Sequence, residues 1–131
     1  MKLQKRDKLL VFNAVLEGLF GVWMLIMPAA FKAIASINMP LPLIQAYSLL
    51  ALAISIYSWV ASTYLISATD KVLAKKFIYT SIIIYHLAVC IGISIAAING
   101  DTNFVGLLIH VPLVLIFILG YIKIPRQKSV Q

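Results

Sequence analysis

Glu17, His86 and His110 are ionisable side chains set inside long apolar runs, and Asn13 lies one helical turn before Glu17 on the same face. Glu17 falls near the middle of Leu9 to Pro28, LLVFNAVLEGLFGVWMLIMP. A charge at that depth in a bilayer costs a few kcal/mol on insertion scales, so such residues face a bundle interior or a wet cavity. At about 1.5 Å per residue, Glu17 lies roughly 12 Å above the start of its run and His86 about 13–14 Å above the start of its own; His110 lies about 18 Å above the inner end of the last run. All three fall in the middle third of the membrane. Glu17 and His86 come out at nearly the same height, with His110 one to two turns nearer the outer side.

Four readings of this constellation compete. It can be structural glue, with Glu17 protonated or bonded to His86, Asn13 and a carbonyl freed by Pro112. It can bind the polar head of a quinone-like or lipid-like ligand through Glu17 and a histidine. It can relay protons or ions. It can hold haem or a metal between His86 and His110, as helical bundles do with two histidines. The last has the least support, because two histidines on separate helices are offset by about 5 Å at 1.5 Å per residue. His86 and Cys90, at i and i+4, make a poor metal pair without a third ligand. No dedicated metal site or cofactor is therefore expected.

The residues that position this chemistry are apolar and long enough to span lipid. The chain is 63% hydrophobic and 11% charged over 131 residues, which excludes an ordinary soluble domain and a disordered chain. Runs over about 9–28, 43–68, 77–98 and 104–122 each suffice for a hydrocarbon core of about 30 Å. They predict one all-α membrane domain over 1–131, an integral membrane four-helix up-down bundle. The basic start followed by an apolar run is read as a retained anchor, since no A-x-A site follows Pro28. Residues 29–38 predict either a short interfacial helix or an apolar loop, and Pro40 and Pro42 open the second span. Asp70 to Lys76, DKVLAKK, reads as a short basic loop.

Small residues mark where helices approach closely. Ala14, Gly18 and Gly21 form one strip. Ser48, Ala51, Ser55, Ser58 and Ser62 form a second, with their hydroxyls bonded back within the helix. Ala88, Gly92 and Ala96 form a third, nearly opposite the side shared by Tyr79, His86 and Cys90. That third strip predicts a homo-oligomer or membrane-partner contact. Gly106, His110, Leu113, Phe117 and Gly120 make a stripe on the last span. Tyr47, Tyr57 and Tyr64 read as anchoring or packing aromatics, and Cys90 as a buried thiol.

The net charge of +7 superficially suggests a nucleic-acid partner, but the basic residues flank apolar runs and leave no basic domain. They read as topology signals and lipid head-group contacts. Ten lie at the N-terminus, the second connection and the tail, against Lys32 alone on the other side. That bias predicts cytoplasmic N and C termini in the inner (cytoplasmic) membrane. No HExxH, glycine-rich phosphate loop, CxxC or GxSxG occurs, so no catalytic residue is assigned.

With LEGLFGVWMLIMP followed by a second span opening LPLIQAYSLLALAIS, the chain resembles the DoxX-like group of small bacterial four-helix membrane proteins. The resemblance covers most of the chain through length, four spans and an early helix ending in proline. It implies a cytoplasmic-membrane protein, in some relatives a small subunit associated with quinone-linked oxidation. The reading preferred on the sequence is a membrane accessory or binding protein. Its ligand-binding residues are Glu17, His86, His110 and Asn13, and its occupant is quinone-like or lipidic. The rival reading is a proton or small-solute transport protein.

Overall fold

The computed structural model describes residues 6–125. It is all-helical, and four of its helices are long and apolar enough to cross a membrane. The helices in order are α1 (Lys8–Ile26), the short α2 (Pro28–Ile34), α3 (Leu41–Ser67), α4 (Lys71–Ile98) and α5 (Leu107–Ile122), with a 3-10 turn at Phe104–Gly106 leading into α5; all but α2 are the long ones. Lys2, Lys5, Arg126 and Lys128, which contribute to the charge bias, lie outside the described residues.

Local chemistry sets the helix ends. Asp7 caps α1 by accepting from the amides of Leu9 and Leu10, which satisfies two of the donors left open at a helix start. Pro40 and Pro42 stand at the start of α3, where a missing N–H costs nothing. The 29–38 segment resolves in favour of a helix, α2, which is shorter than expected and ends at Ile34. Trp23 and Phe31 meet at right angles, 5.3 Å between centroids, and hold α2 against the end of α1. The basic loop at 70–76 is a correction: Asp70 accepts from the Leu73 amide at 2.9 Å and caps α4, which starts six residues before the expected Phe77. Lysines lower hydropathy without opposing a helix, so composition marked the edge of the apolar run rather than the end of the helix.

The long helices meet as two close pairs. Along α1 and α3, Asn13 meets Ser58, the Ser55 hydroxyl donates to the Ala14 carbonyl at 2.6 Å, and Gly21 faces Leu52. A Cβ at Gly21 would stand 2.8 Å from Leu52 Cγ and 3.1 Å from its backbone nitrogen, so the approach requires glycine. The first two small-residue strips form this seam, and the hydroxyls of Ser48 and Ser62 donate to carbonyls of their own helix. Along α4 and α5, Tyr79 meets Phe117, His86 meets His110, and Ile93 faces Gly106. The stripe expected on the last span therefore lies against α4.

Large side chains fill the space between the pairs on the Asp7 side. Leu10, Ile82 and Phe117 are fully buried there, with Tyr79 beside them. Asp7 accepts from the Tyr79 hydroxyl at 2.9 Å and pairs with Lys75 at 2.7 Å, tying α1 to α4. The outer surface is apolar along all four long helices: Leu19, Ile56, Ile84 and Leu108 are each more than 60% exposed. An apolar surface of that extent suits contact with lipid or with another protein. Gly92 opens onto it, with nothing within 4 Å of where a Cβ would stand. Cys90 is only half-buried, a correction to its reading as a buried thiol.

Candidate functional site

All four residues singled out in the sequence come together where the two helix pairs face each other. Asn13 and Glu17 approach from α1, His86 from α4, and His110 from the first turns of α5. Asn13 and His86 are fully buried and Glu17 nearly so. His110 is the most accessible of the four, its side chain 16% exposed.

A chain of hydrogen bonds fixes the orientation of His86. Asn13 Nδ2 donates to Ser58 Oγ at 3.0 Å. That leaves Asn13 Oδ1 facing His86 Nε2 at 2.9 Å, an acceptor that holds the proton on Nε2. His86 Nδ1 is then an unprotonated acceptor, aimed at His110 Nδ1 3.0 Å away. Phe117 stacks beside the His86 ring, with centroids 6.3 Å apart, and limits its tilt.

Glu17 completes the cluster without bonding directly to either ring. Its Oε2 accepts from the Tyr85 hydroxyl at 3.2 Å. Its Oε1 stands 3.7 Å from His86 Nδ1 and 3.8 Å from His110 Nδ1, beyond hydrogen-bond distance. The expected offset between the histidines disappears at the level of side chains, because both rings reach toward one point. The Leu108 carbonyl makes none of the cluster's described bonds, and the Leu108 side chain points outward at 75% exposure.

Tyr85 and Ser58 act here without having been singled out for it. Tyr85 is next to His86 in sequence, so its Cβ lies about 100° round the helix, and only its length brings the hydroxyl back to Glu17. A phenol beside His86 inside an apolar run was the available signal. Ser58 read only as a packing residue. The two Nδ1 atoms are too close to flank a haem iron on opposite sides, which needs two metal–nitrogen bonds of about 2 Å in line against the observed 3.0 Å.

No protein-family model, curated protein or solved structure matches the chain.

Proposed function

We propose that the chain is a small integral membrane binding protein with a site of Glu17, His86, His110 and Asn13 at mid-membrane. The observation that carries this is the spacing of Glu17 Oε1, 3.7 and 3.8 Å from two histidine nitrogens. Glu17 Oε1 and the two ring nitrogens, which share a bond at 3.0 Å, converge on one point from α1, α4 and α5, more than joining the helices would require. Leu10, Ile82 and Phe117 close the bundle on the Asp7 side. That favours holding an occupant over passing protons across.

The proposal includes an up-down order of the four spans with both termini cytoplasmic. In support, Arg6, Lys8, Lys71, Lys75, Lys76 and Lys123 lie near the Asp7 end of the long helices, and Lys32 lies on α2 beyond their other end. At that other end the Asn38 amide donates to the Asp101 carbonyl at 2.6 Å, joining the two connections. Kinship with the DoxX-like group is proposed on the shared length, span number and proline-terminated first helix.

A quinone-like or lipidic ligand is the second reading. An apolar groove of about 490 Å³ runs along α1 past Ala14 and Gly18 to Trp23, beside the Glu17 turn. None of the four site residues lines it, so a head group seated there would need side-chain movement to reach Glu17.

The test is the protein purified gently from membranes and assayed for bound metal, quinone and lipid, alongside Glu17→Gln. A binding site retains a stoichiometric occupant that Glu17→Gln loses while melting temperature holds. A chain carrying no occupant, with Glu17→Gln tolerated by the organism, would leave the cluster as structural glue.

A further inference from the structure

We infer that the occupant is a single divalent transition-metal ion of the zinc class, held by His86 Nδ1, His110 Nδ1 and Glu17 Oε1. This rests on reading the triad as a binding site and names what it binds.

Geometry supplies the first argument. The three atoms form a triangle with edges of 3.0, 3.7 and 3.8 Å. Such a triangle has a centre about 2 Å from each corner, the distance at which zinc sits from imidazole nitrogen and carboxylate oxygen (about 2.0–2.2 Å). The two longer edges are too long for hydrogen bonds yet fit two ligands of one ion. Two histidines and one glutamate make a known zinc set, which leaves a fourth position for a solvent or substrate oxygen.

The surroundings supply a second, independent argument. A metal-bound histidine normally donates its other ring N–H to a carboxylate, carbonyl or water, which fixes the tautomer. His86 does this through Nε2 and Asn13 Oδ1 at 2.9 Å, and Asn13 is itself anchored on Ser58. Tyr85 holds the non-ligating oxygen of Glu17 in the same way. Asn13 is thus a positioning residue and Glu17 a ligand, although both lie on one face of α1. The carboxylate offsets part of the charge of the ion, and a bound hydroxide would offset the rest. This matters where water is scarce.

The experiment uses the full chain in mild detergent, purified without a histidine tag and stripped with chelator. It is titrated with Co2+ alone, then with Zn2+. The expected result is saturable uptake of one Co2+ per chain with the visible bands of four-coordinate N/O ligation, displaced by Zn2+. Glu17→Gln and His110→Gln should each lower affinity by about tenfold or more, and Asn13→Ala by about 10–100-fold. Asn13→Asp, which keeps an acceptor for Nε2–H, should recover affinity and the Co2+ spectrum; loss in both Asn13 variants overturns the positioning role. Cys90→Ser should titrate like the wild type; loss of binding there overturns the ligand set. A folded wild-type chain with no saturable Co2+ uptake overturns the metal outright, whatever the variants do. If the metal fails but an organic compound co-purifies in a Glu17-dependent way, the binding reading stands. If nothing is retained and Glu17→Gln is silent, both fall.

Discussion

Asn13 is the residue whose loss should be felt furthest. Its amide bridges α1, α3 and α4 through Ser58 and His86. Asn13→Ala leaves His86 Nε2–H without its acceptor in a fully buried position, and such an orphan costs about 1–3 kcal/mol. Tyr85→Phe removes only the bond to Glu17 Oε2 and should cost less, about 0.6 kcal/mol, the average for side-chain bonds between membrane helices. Unfolding of the two variants in detergent, compared with wild type, checks the order; equal losses would mean that Asn13 is not the hub. The four site residues were legible because polar groups at one depth in apolar runs are few. Tyr85 was not, since its role depends on which way α4 is turned.

At the scale of the element, the helix pairs are set by what is missing from glycine. Gly21→Ala would drive a Cβ into Leu52, including its backbone nitrogen at 3.1 Å. It should destabilise by about 1–3 kcal/mol through overpacking. Gly92→Ala meets nothing and should stabilise, by about 0.5–1 kcal/mol from helix propensity. Melting temperatures in one detergent should therefore move in opposite directions for two substitutions of the same kind. Asp7 carries the other element-scale expectation. Asp7→Ala loses a cap, the Tyr79 bond and the Lys75 pair, and the cap alone is worth about 0.5–2 kcal/mol. Asp7→Asn keeps cap and acceptor but loses the ion pair, which is worth about 1 kcal/mol or less at a surface. Thermal unfolding should rank Ala well below Asn.

At the scale of the whole molecule, the ten-to-one distribution of basic residues gives a topology that fusion reporters can check. A reporter joined at the C-terminus should be active only in the cytoplasm, and one inserted at Gly100 only on the outer side. A cytoplasmic signal from Gly100 would overturn the four-span order. The strip of Ala88, Gly92 and half-buried Ala96 is the place proposed for contact with a second chain. Gly92→Leu should weaken crosslinking between chains without altering the bundle, and unchanged crosslinking would remove that contact.

The sequence by itself determined the helical class, the four long apolar helices and the polar residues set within them, since these follow from apolar content, run length and residue type. It also marked a close-approach strip on α1 and another on α3, because small residues at helical spacing have few other uses in lipid, but it did not pair them. It misjudged the start of α4, because hydropathy reports the edge of the lipid-compatible run and Asp70 reports the helix start. Which atoms meet was decided only by the tertiary structure. Whether His86 presents Nδ1 or Nε2 to its neighbours depends on Asn13, 73 residues away. The distance from Glu17 to both rings depends on how α1 packs across to α4 and α5, where Leu9 and Tyr79 close around Gly120. Rotation about a helix axis and the choice of rotamer are set by such non-local contacts, and no local pattern encodes them.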